Sequence, residues 1–132
     1  MVELVTVMVV AAILAAFAAP RFFDVNVFAE RGFYEESLTA LRYAQKFAMA
    51  SGCTVTATFT AAGYALSRAG CPDGSSGAVA RPGGGGFTGS APAGVTVSAA
   101  TIDFDKIGRT SGGALTIGTR PITVEAETGF VH

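Results

Sequence analysis

Residues 2–23 read VELVTVMVVAAILAAFAAPRFF, and the disposition of this run decides the fold. It carries no charge between Glu3 and Arg21, and its only polar side chain from Leu4 to Pro20 is Thr6. A continuous apolar run of this kind predicts a helix without a polar face, the sort that is covered by other helices or by lipid. The run is slightly shorter than the ~20 residues of a bilayer span, a difference that flanking residues and local thinning can close. A cleaved signal peptide is the rival reading, with Ala16-Phe17-Ala18-Ala19 as its small-residue site. Such peptides begin with a basic segment, whereas this one begins with an acid.

Small residues recur at helical spacing: Ala11, Ala15 and Ala19 on one face, Ala12 and Ala16 on the next. Alanines four apart let neighbouring helix backbones approach closely, so this face is expected to pack against other helices. Pro20 has no N–H to give to the Ala16 carbonyl, which predicts a kink, and Arg21 marks the return to water. Glu3 is the anomaly. A bare carboxylate in hydrocarbon costs several kcal/mol unless it is neutralised. Its nearest counter-charge is an α-amino group, that of Met1 or of an adjacent copy, which is cationic at neutral pH. Pairing between copies would set the axial register of one helix against the next; a carboxylate resting at headgroup level needs no partner.

The rest of the 132 residues have a different character. Hydrophobic residues make up 50% of the chain, but most of the 17 glycines fall beyond residue 62, in a loop-rich β region. The expected organisation is a hydrophobic helix over 1–23 and a globular head over 24–132. In that head a helix covers 27–52 and a small antiparallel sheet occupies 54–132, interrupted by a Gly-rich loop at 72–94. The fold class is therefore α+β. On the helix, Glu35, Glu36, Thr39, Arg42, Tyr43 and Lys46 share one face, and Phe33, Tyr34, Leu38, Ala40, Leu41, Ala44, Phe47 and Ala48 the broad opposite arc. An arc that wide suits packing on a sheet and on other subunits as well, although burial of one face alone also accounts for it. Gly32 and Asp24-Val25-Asn26 weaken the helix near its start and predict a bend there. Gly52 is its C-cap.

TVTATFT (54–60) alternates apolar and Thr residues as a half-buried strand does, and Ala61-Ala62-Gly63 turns it into a hairpin with YALSR (64–68). Cys53 and Cys71 are the only cysteines. In an oxidising compartment they form one disulfide across this hairpin; in a reducing one they are two free thiols. The segment 72–94, PDGSSGAVARPGGGGFTGSAPAG, predicts an exposed irregular loop. Its GGGG lacks the Gly-Lys-Ser/Thr ending that a phosphate-binding loop requires. Short strands are expected at 95–99, 101–104, 114–118, 121–127 and 130–132, with Thr128-Gly129 turning the last pair.

VELVTVMVVAAILAAFAAPRF resembles the N-terminal segment of type IV pilins and pseudopilins. Glu3-Leu4 matches that family's glutamate, and Pro20-Arg21-Phe22 its proline block. LRYAQKFAMASGCTVTATF (41–59), IDFDKIGRT (102–110) and RPITVEAETGFVH (120–132) are similar to GspH/FimT-type minor pilins, especially the C-type minor pilins of mannose-sensitive haemagglutinin pili. The resemblance implies the type IV pilin fold, with a long N-terminal helix running into a head helix packed on a sheet. It also implies processing by a prepilin peptidase, residence as a single-pass protein of the bacterial inner membrane, and assembly with other pilin subunits into a periplasmic or extracellular filament. The assembly residues it points to are Glu3, Met1, Ala11, Ala15, Ala19 and Pro20. The family carries four residues ahead of its glutamate and this sequence two, so the methylated amine of the family is not assigned to Met1. A minor pilus subunit is the first expectation; a type II secretion pseudopilin and a DNA-binding or adhesive tip subunit are the alternatives.

Catalysis is not expected, because no convergent set of reactive groups is visible and the one histidine, His132, stands alone at the end of the sequence. No cofactor or metal is expected either: Asp103 and Asp105 share one side of a strand but lack the spacing of a calcium loop. The candidate nucleic-acid contacts are Lys106, Arg109 and Arg120. With a net charge of −1 and phosphate contacts dominating such affinity, nucleic acid is a poor partner on this reading.

Overall fold

The computed structural model describes residues 2–18 and 25–132, with side chains described over 2–16 and 26–132. Two helices come first, α1 (Val2–Ala18) and α2 (Val25–Ser51), followed by seven strands. These are β1 (Thr54–Thr60), β2 (Gly63–Ala69), β3 (Gly77–Ala78), β4 (Thr88–Ser90), β5 (Ala100–Phe104), β6 (Gly113–Ile117) and β7 (Arg120–Val124). The chain is α+β, with α2 packed on antiparallel sheet. Met1, Ala19 and the kink expected at Pro20 lie outside the described residues.

α1 has 17 residues, or about 26 Å of helix against the ~30 Å of a hydrocarbon core. Among the described residues no helix is long and apolar enough to cross a membrane.

α2 forms because good helix formers carry a wide apolar arc that the sheet covers. Phe33, Leu38, Ala40, Leu41, Ala44 and Ala48 are all buried, and the alanines bring the helix backbone close to the strands. The helix begins at Val25 and runs on through Gly32 without interruption, so the weakness expected there does not end it. It stops at Gly52, whose φ of 68° suits a left-handed cap and whose N–H donates to the Ala48 carbonyl at 2.9 Å. Tyr43 departs from its expected polar face. Its ring is half-buried, stacked on Phe87 at 4.6 Å and on Phe47 at 5.9 Å.

β1 alternates as the sequence predicts: Val55, Ala57 and Phe59 are buried while the threonines face outward. It pairs with β2 on one side and with β5 on the other, placing Val55 opposite Phe104 and Ala57 opposite Ile102 in the core. β6 and β7 form a separate hairpin whose Leu115, Ile117, Ile122 and Val124 close the same core.

Three expectations about the sheet are corrected. Residues 72–94 are not wholly an exposed irregular loop: β3 and β4 lie one after the other along the free edge of β2, and Val79 between them is fully buried. Their close approach depends on glycine. A Cβ on Gly63 would stand 2.0 Å from the Gly89 carbonyl oxygen, and one on Gly89 would stand 2.3 Å from the Tyr64 ring. Residues 95–99 are not a strand but touch β6 through a single bridge, Val97 to Ile117. There the Ser98 hydroxyl accepts the Thr116 N–H at 2.8 Å, taking the place of a backbone carbonyl, and the ladder goes no further. The strand expected over 121–127 ends at Val124, and 130–132 contributes one bridge, Val131 to Val124. The turn between them is as expected, with the Gly129 N–H donating to the Glu125 carbonyl at 2.8 Å.

Candidate assembly interface

Val2, Val5, Val7, Val9 and Val10 give α1 an unusual load of β-branched residues. Such residues lower helix propensity in water, and a helix of this length is marginal there even with good formers. Its stability therefore has to come from burial, yet every side chain from Val2 to Ala16 is exposed in the single chain. Val2 is 78% exposed, Met8 65% and Leu14 64%. An apolar surface running all round a helix marks a binding or membrane surface. Thr6 does not spoil it, because its hydroxyl donates to the Glu3 carbonyl at 2.8 Å within the helix. Ala11 and Ala15 both lie on this exposed surface. Ala11 also lines a shallow notch of about 380 Å³ with Thr6, Val7, Val10 and Leu14. The small side chain leaves the notch, and a ridge on an adjacent helix can enter it.

Glu3 is the acid of the first turn of α1. A negative charge is favoured there because the unpaired N–H groups of the first turn make that end of the helix positive. The amine of Met1, its expected partner, lies outside the described residues.

In the head, Cys53 follows α2 after the Gly52 cap and Cys71 follows β2 after Gly70, and the two are joined in a disulfide with an S–S distance of 2.04 Å. Both sulfur-bearing residues are buried. Of the alternatives left by the sequence, the bonded one holds.

Beside the exposed face of α2 runs a groove of about 430 Å³ lined by Glu35, Glu36, Thr39, Tyr64, Arg81 and Phe87. The Tyr64 hydroxyl donates to Glu36 Oε1 at 2.8 Å. Arg81 lies over the Phe87 ring at 5.2 Å and donates to the Thr88 carbonyl. Tyr64, Arg81 and Phe87 were not among the residues the sequence marked. The available signal was that Arg81 and Phe87 are the two largest side chains in a run of glycine, serine, proline and alanine. Burial first, and then the hydrogen bond and charge of Glu36, hold the Tyr64 phenol well above the ordinary range. A raised folded-state value means that this stabilisation is intact below the unfolded value and is lost as pH rises. Stability should thus begin to fall above about pH 10, where unfolded tyrosine ionises while folded Tyr64 keeps its proton. Denaturant midpoints should show that fall in the wild type, with a shallower slope for Tyr64→Phe. Equal slopes would show that Tyr64 is not its source.

The three cations considered for nucleic acid do not converge. Arg120 faces Glu30 at 4.0 Å and lies over the Tyr34 ring, towards the start of α2. Gly108, between Lys106 and Arg109, gives its carbonyl to Gln45 Nε2 at 3.1 Å, fifteen residues further along α2 from Glu30. At helical rise that separation is about 22 Å. Arg109 also faces Glu127 at 3.7 Å. Asp103 accepts from Thr56, and Asp105 accepts the Ile107 and Arg109 N–H groups, so both carboxylates serve the local strand and turn. Among the described residues no group of three or more His, Cys, Asp or Glu is placed to hold a metal ion.

No family model, no curated protein and no solved structure matches this chain.

Proposed function

We propose that this chain is a structural subunit, a minor pilin, of a type IV pilus-like surface filament, held in the bacterial inner membrane before assembly. The supporting observation is α1: a helix apolar on all sides, exposed throughout its described side chains, with a single carboxylate in its first turn. Such a surface is stable only when covered, by lipid in one state and by neighbouring helices in the other. The disulfide in the head fits export to an oxidising compartment. Other subunits bring helices to pack in the Ala11 notch, and a neighbour's terminal amine neutralises Glu3.

Shearing cells that produce the native protein, then pelleting the filaments, tests this. The chain should pellet with sheared filaments, and the remainder should fractionate with the inner membrane. Filaments confined to the periplasm would turn the assignment to a pseudopilin of the secretion machine. A freely dissolved monomer in the cytosol would remove it altogether.

A further inference from the structure

Beyond α1, the large apolar side chains exposed among the described residues fall at the two ends of α2. Val27 and Phe28 stand at its start, next in sequence to the apolar run. Met49, 48% exposed, Ile107, 60%, and Phe130, 59%, gather at the other end. From Phe28 to Met49 the helix rises about 32 Å. The second cluster is built by named contacts. Gln45 Nε2 donates to the Gly108 carbonyl at 3.1 Å and to the Thr128 carbonyl at 2.8 Å, so one side chain of α2 ties two turns together. The turns meet through glycine: a Cβ on Gly129 would run into the Gly108 carbonyl oxygen, and one on Gly108 would stand 2.8 Å from Met49 Sδ. Each turn closes on itself, with the Gly108 N–H donating to the Asp105 carbonyl at 2.9 Å and the Gly129 N–H to the Glu125 carbonyl. Neither needs an apolar residue at its tip, where polar residues and glycine are usual. Ile107 and Phe130 nevertheless project from them, and neither lines the larger grooves of the head. The charges around them are mixed: Arg109 faces Glu127 at 3.7 Å, Glu125 faces His132 at 3.1 Å, and Lys106 stands beside Asp105.

We propose that Ile107, Phe130 and Met49 form a lipid-docking surface that inserts among the headgroups of a bilayer other than the one holding α1. Three apolar knobs on projecting turns suit a fluid medium, which closes round side chains at any spacing. A protein partner would need a matching pocket for each anchor. The mixed charge gives no preference for anionic lipid, so the attraction is apolar and survives salt. One patch binds weakly, but many chains standing in one vesicle engage together. The second bilayer rests on the reading of α1 as a membrane anchor, with the patch held a helix length away from it. The patch itself is read from the head alone.

The test uses the full-length chain, reconstituted into sucrose-loaded phosphatidylcholine vesicles and freed of unbound chain by sedimentation. These host vesicles are then offered dye-filled phosphatidylcholine vesicles, which should sediment with them. Ile107→Ser/Phe130→Ser should enter the host vesicles normally, keep its circular dichroism melt and capture at least tenfold fewer dye-filled vesicles. Ile107→Leu/Phe130→Leu should capture as wild type does, because lipid reads apolarity and not shape, and ~0.5 M salt should change nothing. A nitrobenzoxadiazole label on Ile107→Cys should be quenched when the added vesicles carry brominated acyl chains; the same label on Thr39→Cys should not. Capture unchanged by the serine pair would overturn the proposal, as would quenching by brominated host lipid alone. Shielding of the label from aqueous iodide without quenching by either lipid would show that other chains cover the patch, and would overturn it too. Chain that stays out of the host vesicles counts against α1 as an anchor, whereas chain that enters them without capture or quenching counts against the patch.

Discussion

Removing the disulfide by Cys53→Ala/Cys71→Ala lowers the melting temperature of the head by on the order of 15 °C, the largest stability change expected from any covalent edit of this chain. The magnitude follows from closing a loop whose ends are 18 residues apart, worth about 3 kcal/mol through the entropy of the unfolded chain. Each kcal/mol shifts the melting point of a domain near 100 residues by several degrees. Alanine is the better replacement because both positions are buried, and a serine hydroxyl there would add a desolvation cost of its own. The bridge fastens the end of α2 to the exit of β2, the point from which the chain sets out on the β3–β4 segment. The effect should therefore reach the edge of the sheet: the amides of Leu66 and Val79, which join β2 to this segment, and that of Phe87, which donates to the Val79 carbonyl within it, should lose exchange protection first. Thermal unfolding of full-length chain in detergent, with and without the substitutions, measures the shift. A change of only a few degrees would mean that the head is held by its core alone.

What the sequence disclosed and what it withheld divide by the range of the forces involved. The alternation of β1, the cap at Gly52 and the tight turn at Gly129 depend on neighbours within a few residues, and each was readable, as was the continuous apolar run that forms α1. Residues 72–94 depend on something distant. Composition predicts a loop there, and the short strands form only because the edge of β2 is free and two facing glycines admit the backbone. The same segment explains Tyr43. Its place on the helix wheel is polar, but Phe87 arrives from more than forty residues away to stack on it. At Ser98 the error has the opposite origin: the alternating pattern is real, and Val95 and Val97 are buried, but one local hydroxyl ends the ladder. Of the proposed assembly residues, Ala11 and Ala15 were marked by spacing and Glu3 by its charge and the pilin resemblance, and all three lie exposed on α1. The polar face of α2 was visible, but the groove beside it needed Arg81, Phe87 and Tyr64 from other elements.

Glu3→Ala leaves the melting curve of the head unchanged and lowers the yield of sheared filaments at least tenfold. The two halves of this expectation have separate causes. Glu3 is exposed in α1 and its one local hydrogen bond uses the backbone carbonyl, which alanine retains. Among the described residues, the buried core that holds α2 to the sheets begins at Phe33, with Ala29 packed against it. In a bundle, however, the carboxylate has either to be neutralised or to carry a penalty of several kcal/mol. If a neighbour's amine neutralises it, the pair is stable only at one axial offset, and losing either member removes both the attraction and the register. A buried amine then remains without its counter-charge, and that cost falls on the assembled state alone. Glu3→Gln separates charge from shape: it keeps the size and hydrogen-bonding capacity, so a yield as low as that of alanine assigns the effect to charge. The rival account, a carboxylate resting at the headgroup level, makes the opposite forecast. Alanine would then sit deeper in lipid, membrane retention would rise, and filament yield would be unaffected. Measuring inner-membrane retention and filament yield on the same cultures decides between them, because only an intersubunit pair makes the yield fall while retention holds.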